Sequence, residues 1–277
     1  MPDTFALRQT PAALLADACR GISNFSIGFV KIEGTGDAQT ATLGGSGTLV
    51  QIGDTSAIVT ACHVLDHLRG DATIGLLLAT TGAPVLQRIT LRSEAIGWVR
   101  IARGNADAEG PDLGLLLLSS LDAAALKARK SFYNLSSREW LLHNPPALDG
   151  GIWFLCGFGD EATTERGPER GFRRIKIFEG ACGAGWVGKQ YRVGDFEYLD
   201  FEVRYGGVNG PPRSFGGFSG GGLWQVPVTR TDGELRVKDL LFSGVAFYQN
   251  AQTEELRIIK CHGRDGIYAH ATKAVAK

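Results

Sequence analysis

Residues 214–224 read SFGGFSGGGLW, a serine set among glycines directly before an apolar run. Glycine lacks a Cβ, so this stretch can turn sharply and lead into a β-strand. A serine nucleophile needs such surroundings, because its hydroxyl must protrude while nearby backbone N–H groups face the oxyanion formed in acyl transfer. The same letters also suit a simple glycine-rich hairpin loop. The stretch therefore predicts a turn into a strand and makes Ser219 a candidate nucleophile.

The rest of the chain has the same character. Glycine makes up 38 of 277 residues, which is about twice its usual share of about 7%. Short apolar runs alternate with turn signals, a pattern typical of an all-β protein. Twelve runs have the length and composition of strands: 25–33, 45–52, 55–61, 73–79, 85–91, 113–118, 152–158, 173–179, 198–205, 222–227, 239–247 and 255–261.

These runs fall into two β-rich halves of six strands each. The run LDAAALKARKSF, which starts at residue 121, favours a helix and separates the halves. Short helices are also predicted over 11–20 and in the tail from residue 268. The predicted organisation is an N-terminal helical extension, a first β unit, a partly helical linker, and a second β unit with a tail: 1–23, 24–120, 121–150 and 151–277.

Charge, hydropathy and cysteine content exclude several classes of protein. Lys and Arg together number 29, as do Asp and Glu, so nothing indicates a nucleic-acid partner. No apolar run approaches the roughly 18 residues of a membrane span, and the first residues lack a signal-peptide pattern. The five cysteines are widely spaced, which is typical of free thiols in a reducing compartment. We predict a cytoplasmic protein without a membrane or nucleic-acid partner.

Two further segments supply candidate partners for Ser219. In SAIVTACHVL (56–65), His63 follows an apolar strand, where it could stand as a positioned base. Asp112 opens the apolar run DLGLLL, where an acid that orients an imidazole would be half buried. Each residue alone has an ordinary interpretation, a structural histidine or a turn aspartate. Together they occur in the order His, Asp, Ser, with His63 and Asp112 in the first β half and Ser219 in the second.

The segments TACHV (60–64), DLGLL (112–116) and GFSGG (217–221), in this order, resemble those of the trypsin-like (chymotrypsin-fold) serine peptidases. The resemblance extends over roughly residues 25–270 and implies two six-stranded antiparallel β-barrels with the active site between them. Secreted relatives carry an aspartate just before the serine, whereas this chain has Phe218. The resemblance is therefore to the bacterial or intracellular type, without activation by N-terminal cleavage.

The resemblance implies a serine endopeptidase that cleaves peptide bonds through an acyl-enzyme. Ser219 would attack the carbonyl of a protein or peptide substrate while His63 takes its proton. Asp112 would hold the imidazole in the required tautomer. The backbone N–H groups of Gly217 and Ser219 would form the oxyanion hole.

The substrate-binding residues are predicted by the same resemblance. Arg213 would lie at the base of the primary pocket and favour an acidic side chain, although a slip of one residue in this loop would place it in solvent. Ser243 would lie beside Asp112 and hydrogen-bond to it. Gly244 and Val245 would present backbone groups to the substrate.

Other interpretations of these residues are weaker. His63 and His67 have the i, i+4 spacing of two zinc ligands, but no third ligand is evident, so neither metal nor cofactor is predicted. Cys62 is adjacent to His63, but neighbours in a strand point to opposite faces, so it is expected to be a buried apolar residue. The rival function is an idle chymotrypsin-fold interaction module. An intermediate case is an enzyme that stays latent until a protein activator orders residues 206–217.

Overall fold

The fold is known from a computed structural model, which describes residues 10–34, 40–78, 87–104, 110–166, 175–204, 214–251 and 256–276. The predicted pocket residue Arg213 and the ends of several predicted strands lie outside these ranges. The described chain is mostly β-strand, and its ladders are antiparallel apart from one short parallel pair. The prediction of a mostly β, antiparallel fold is confirmed.

The first half forms one eight-stranded sheet. Its strands are β1 (Ser26–Glu33), β2 (Thr40–Ile52), β3 (Thr55–Thr60), β4 (Thr73–Leu78), β5 (Gln87–Arg92), β6 (Gly97–Arg103), β7 (Asp112–Leu117) and β8 (Tyr133–Asn134). Seven of them pair in the order β5-β4-β1-β2-β3-β7-β6, and β8 pairs with β2. Within the described ranges this sheet does not close, so the predicted first six-stranded barrel is not confirmed. The sequence pattern missed β6 and β8.

The second half closes into a six-stranded barrel. Its strands are β9 (Ile152–Arg166), β10 (Ile175–Val193), β11 (Phe196–Arg204), β12 (Gly222–Val226), β15 (Leu241–Ala251) and β16 (Leu256–His262). They pair in the closed order β10-β11-β16-β15-β12-β9. A separate hairpin of β13 (Val228–Thr231) and β14 (Glu234–Val237) was not predicted. For this half the predicted barrel is confirmed.

Helices lie mainly outside the sheets. They are α1 (Ala12–Ser23), α2 (Cys62–Leu68), α3 (Ser120–Lys127), α4 (Trp140–His143) and α5 (Thr272–Val275), with a π-helical turn over Asp265–Ala271 before α5. The N-terminal, linker and C-terminal helices agree with the prediction, whereas α2 was not expected. In the described part of the chain, no helix is long and apolar enough to cross a membrane.

One apolar cluster joins the two halves. Val59 and Leu115 of the first sheet belong to the same cluster as Phe154, Trp224 and Phe242 of the barrel, and all five are at most 1% exposed. Burial of each such side chain contributes about 1.5–3 kcal/mol. The shared core therefore fixes how the first sheet and the barrel face each other, and with that the shape of the cleft between them.

Candidate active site

His63 and Asp112 form a close pair at the edge of the first sheet. Asp112 is the first residue of β7 and is buried, while His63 is the second residue of α2 and is partly exposed. The two side chains meet with 2.5 Å between His63 Nδ1 and Asp112 Oδ2. The His63 backbone N–H also donates to Asp112 Oδ1, at 2.9 Å. Because Nδ1 faces the acid, Nε2 is the ring nitrogen available as a base.

The position of His63 differs in detail from the prediction. β3 ends at Thr60 and α2 begins at Cys62, so His63 lies in the first turn of a helix rather than at the end of a strand. Cys62 is fully buried, and burial raises the pKa of its thiol to about 11. A thiol in this state does not act as a nucleophile near neutral pH. Helical geometry, not strand alternation, separates Cys62 from His63.

Asp112 is held as a carboxylate. Burial raises the pKa of this group, but the hydrogen bonds and charge of His63 and the charge of Arg103 outweigh it, so the net pKa is lowered. Arg103 Nη1 donates to Asp112 Oδ2 at 3.1 Å, the same oxygen that faces the imidazole. An ionised acid at this position stabilises the imidazolium that forms when a base takes a proton.

Arg103 belongs to a charged group on β6 and α2 that the sequence analysis missed. Its Nε donates to Asp66 Oδ2 at 3.3 Å, and Arg100 bonds to the other oxygen of Asp66. The two arginines lie three residues apart on β6, where regular alternation would place them on opposite faces. The register of β6 against β7 shifts between Arg100 and Ala102, and no sequence signal marks that shift. Asp66 thereby holds Nε of Arg103, while Nη1 of the same guanidinium bonds to Asp112.

His262 is a second missed residue. It ends β16, is fully buried, and its Nε2 accepts a hydrogen bond of 2.8 Å from the backbone N–H of Asp112. Burial lowers the pKa of His262 to about 4, so its ring is neutral near pH 7. The sequence analysis gave this histidine no role, because nothing near it in the chain resembles a site.

The loop that carries Ser219 is made of two tight turns. The Phe218 N–H donates to Phe215 O at 3.0 Å, and the Gly221 N–H donates to Phe218 O at 2.8 Å. The third residue of each turn, Gly217 and Gly220, has φ of +84° and +85°, as type II turns require. In the described part of the chain, the N–H groups of Gly217 and Ser219 donate no hydrogen bond. Their role as an oxyanion hole stays a prediction.

Ser46 of the first sheet anchors this loop. Its backbone N–H donates to Ser219 O at 2.8 Å, and its hydroxyl donates to Gly217 O at 2.8 Å. The same hydroxyl accepts from the Phe158 N–H at 2.8 Å. The barrel adds a bond of 2.7 Å from the Gly220 N–H to Ala246 O. The serine loop is therefore clamped between the first sheet and the barrel.

A cleft of about 480 Å³ brings the three predicted catalytic residues together. His63, Asp112 and Ser219 all line this cleft, and Arg103 lines it as well. Within the described ranges, no hydrogen bond joins the Ser219 hydroxyl to the His63 ring. The three side chains thus share one cleft, with the serine not yet engaged by the base.

The predicted substrate-binding residues Ser243, Gly244 and Val245 do not line this cleft. They are buried, and Ser243 Oγ donates to Leu241 O at 2.9 Å and accepts from Arg264 Nη2 at 3.1 Å, so its predicted bond to Asp112 is wrong. The cleft is lined instead by residues 246–249. The physical reason is the register of the two strands. β12 begins at Gly222, which pairs with Val245, so β12 covers β15 up to Val245 and leaves this edge of β15 accessible only after that residue.

Metal ligands do not gather here: the described residues contain no group of three or more His, Cys, Asp or Glu side chains arranged to hold a metal ion.

No family model matches the sequence, and no curated protein is significantly similar to it. The similarity to trypsin-like peptidases therefore rests on the three short segments alone.

Proposed function

We propose that this chain is a trypsin-like serine peptidase in which His63, Asp112 and Ser219 form the catalytic triad. One observation carries the proposal: the His63–Asp112 pair, at 2.5 Å, opens onto the same cleft as Ser219. Within the described ranges the N–H groups of Gly217 and Ser219 donate no hydrogen bond, which adds support. As part of the proposal, the first sheet takes the place of the first barrel of that family. The closed barrel of the second half supplies the serine.

The chemistry follows from the roles of these groups. Ser219 Oγ attacks a substrate carbonyl and His63 Nε2 takes its proton, forming a tetrahedral oxyanion. The N–H groups of Gly217 and Ser219 donate to that oxyanion, each contributing about 2.7–4 kcal/mol where single donors have been removed from such sites. His63 then protonates the leaving amine, and water enters by the reverse route to release the acid and restore Ser219.

The substrate we propose is an extended peptide lying along residues 247–249. In the described sheet, β12 stops opposite Val245, and β16 occupies only the other edge of β15. The cleft-facing edge therefore has backbone groups available for a β-strand-like substrate. Phe215, Tyr248 and Ile259 line the same cleft, which favours an apolar side chain next to the cleaved bond. The role of Arg213 in this pocket stays a prediction.

A latent state is the second candidate. The lack of a hydrogen bond between Ser219 and His63 within the described ranges favours an enzyme that a protein activator completes. Resting serine sites are often loosely bonded and tighten on substrate binding, so this observation does not exclude constitutive activity. The idle interaction module is the remaining alternative.

The test is labelling with a fluorophosphonate probe, read by intact mass. Wild-type chain is expected to gain one adduct, and Ser219→Ala none. Ser214→Ala is the matched control, because Ser214 lines the same cleft without a role in the triad; it should label like the wild type. Labelling of Ser219→Ala would overturn the assignment of the nucleophile. No labelling of folded wild type, alone or with candidate activators, would leave the idle module.

A further inference from the structure

His262 has only one ring nitrogen in use. Its Nε2 accepts the Asp112 N–H, so the proton of the neutral ring must lie on Nδ1. Nδ1 is buried, and in the described part of the chain it has no hydrogen-bond partner. A buried donor without an acceptor destabilises a fold, and such a group needs a reason to persist.

The surroundings of the ring prevent an easy rearrangement. Three aromatic rings pack against it, with centroid distances of 5.7 Å to Phe196, 5.2 Å to Tyr198 and 4.7 Å to Phe247. His262 is also paired in register with Tyr198 on one side and Val245 on the other. The barrel therefore holds the imidazole in the one orientation that serves Asp112.

The bond from Asp112 has consequences for the cleft. Asp112 is the first residue of β7 and follows directly on Gly110 and Pro111. Its carboxylate accepts from His63 through both oxygens, so any shift of its backbone would move the imidazole as well. The acceptor that fixes this backbone comes from the other half of the molecule, 150 residues further along the chain.

We propose that His262 is a positioning residue, which holds the main chain of Asp112 so that its carboxylate orients His63. The effect on catalysis rests on the proposed peptidase function, whereas the structural link between His262 and His63 does not. His262 acts through Asp112 and does not touch the substrate.

The first experiment compares His262→Phe with His262→Gln. Phenylalanine keeps a ring but removes the acceptor, whereas the glutamine side-chain oxygen can still accept. The low-field proton NMR signal of His63 Nδ1–H reports its bond to Asp112. We expect this signal to be lost or broadened in His262→Phe and kept in His262→Gln. The rate of fluorophosphonate labelling should fall about tenfold in the first variant and less in the second, as for loss of one hydrogen bond.

Tyr198→Phe is the matched control, because it lies in the same aromatic group but leaves the acceptor intact; it should keep both the signal and the labelling rate. An unchanged His63 signal in folded His262→Phe would overturn the proposal. The two proposals can fail separately. If the wild type shows the His63 Nδ1–H signal but is never labelled, the peptidase function is rejected. If His262→Phe then loses that signal, the positioning role of His262 is still supported.

A second measurement needs no variant. In uniformly ¹⁵N-labelled wild type, a nitrogen–nitrogen scalar coupling across the hydrogen bond should link the Asp112 amide to His262 Nε2. The same spectra should place the ring proton on Nδ1. Absence of the coupling, or a proton on Nε2, would overturn the proposal even if His262→Phe does not fold.

Discussion

The hydroxyl of Ser46, in the first sheet, donates a hydrogen bond of 2.8 Å to the carbonyl of Gly217, in the serine loop of the other half. This bond turns the Gly217 carbonyl toward Ser46. Because the hydroxyl also accepts from the Phe158 N–H, one buried oxygen satisfies two backbone groups at once. Ser46 therefore links the geometry of the proposed oxyanion hole to the first sheet.

Ser46→Ala should weaken both stability and labelling. The change leaves the buried N–H of Phe158 and the partly buried C=O of Gly217 without their partner, which costs about 1–3 kcal/mol of unfolding free energy. We expect labelling by the fluorophosphonate probe to slow by about tenfold or more. Ser56→Ala is the control: Ser56 is also buried but bonds to Gln51, away from the cleft. Equal labelling rates in the two variants would contradict the link to the serine loop.

Gly220→Ala should disrupt the serine loop more than strain alone explains. Gly220 has φ of +85°, and a Cβ there would overlap Thr60 Oγ1 and the Ser46 carbonyl oxygen. Gly233 has nearly the same φ, +83°, but open space around it. Gly233→Ala should cost about 1–2 kcal/mol, from its left-handed backbone alone. In urea unfolding, Gly220→Ala should lose clearly more free energy of unfolding than Gly233→Ala. Similar losses in the two variants would contradict the predicted overlap.

Arg103→Gln should raise the pKa of the Asp112 carboxyl, because it removes the positive charge beside Oδ2. In the wild type this pKa is below its ordinary value, so the carboxylate adds stability that is present above about pH 4 and is lost as the pH falls through the lower folded pKa. At pH 7 the free energy of unfolding of Arg103→Gln should be about 0.5–1 kcal/mol lower than that of the wild type.

The measurement for Arg103→Gln is a ¹³C NMR titration of the Asp112 carboxyl carbon, with urea unfolding at pH 7. Arg100→Gln is the control, because Arg100 contacts Asp66 on the same strand face but not Asp112. If the pKa of Asp112 shifts equally in both variants, Arg103 has no specific effect on this carboxyl.

The buried Lys130 makes the free energy of unfolding depend on pH in the alkaline range. It is 6% exposed, its ammonium bonds to Ser23 O, and burial lowers its pKa to about 8 from 10.5. Between these values the folded chain binds fewer protons than the unfolded chain, so this group makes stability rise with pH. The rise should be on the order of 2 kcal/mol from pH 8 to 10.5.

Urea unfolding across this pH range would test the effect of Lys130. Lys130→Met should remove the rise, measured as the difference from the wild type at each pH. Lys127→Met, at an exposed position of α3, should leave it in place. A wild type and Lys130→Met with parallel pH profiles would refute the assignment.

The sequence predicted those parts of the site that have a local signature. The turns around the candidate Ser219 could be predicted because they need glycine at positions 217 and 220, which are its close neighbours in the sequence. Asp112 was found because it opens an apolar strand. The closed barrel was predicted because its strands are largely buried and so read as apolar runs.

The missed parts depend on contacts between distant segments. His262 meets Asp112 only because barrel closure sets the register of β16, which no neighbouring residue encodes. β6 contains Arg100 and Arg103, whose charges interrupt its apolar pattern. Ser243 was misassigned because a matching short segment does not reveal at which residue β15 leaves the core, and that point is set by where β12 begins.

The placement of His262 also bears on the order in which the site is completed during synthesis. Ribosomes build the chain from its N-terminus, so His63 and Asp112 are made long before the strand that ends at His262. Ser219 and β15 also precede that strand. A nascent chain therefore contains all three triad residues while the backbone of Asp112 still lacks its acceptor. On the proposed function, a chain in which β16 has not yet docked should therefore react about tenfold more slowly at Ser219, as expected for loss of one hydrogen bond.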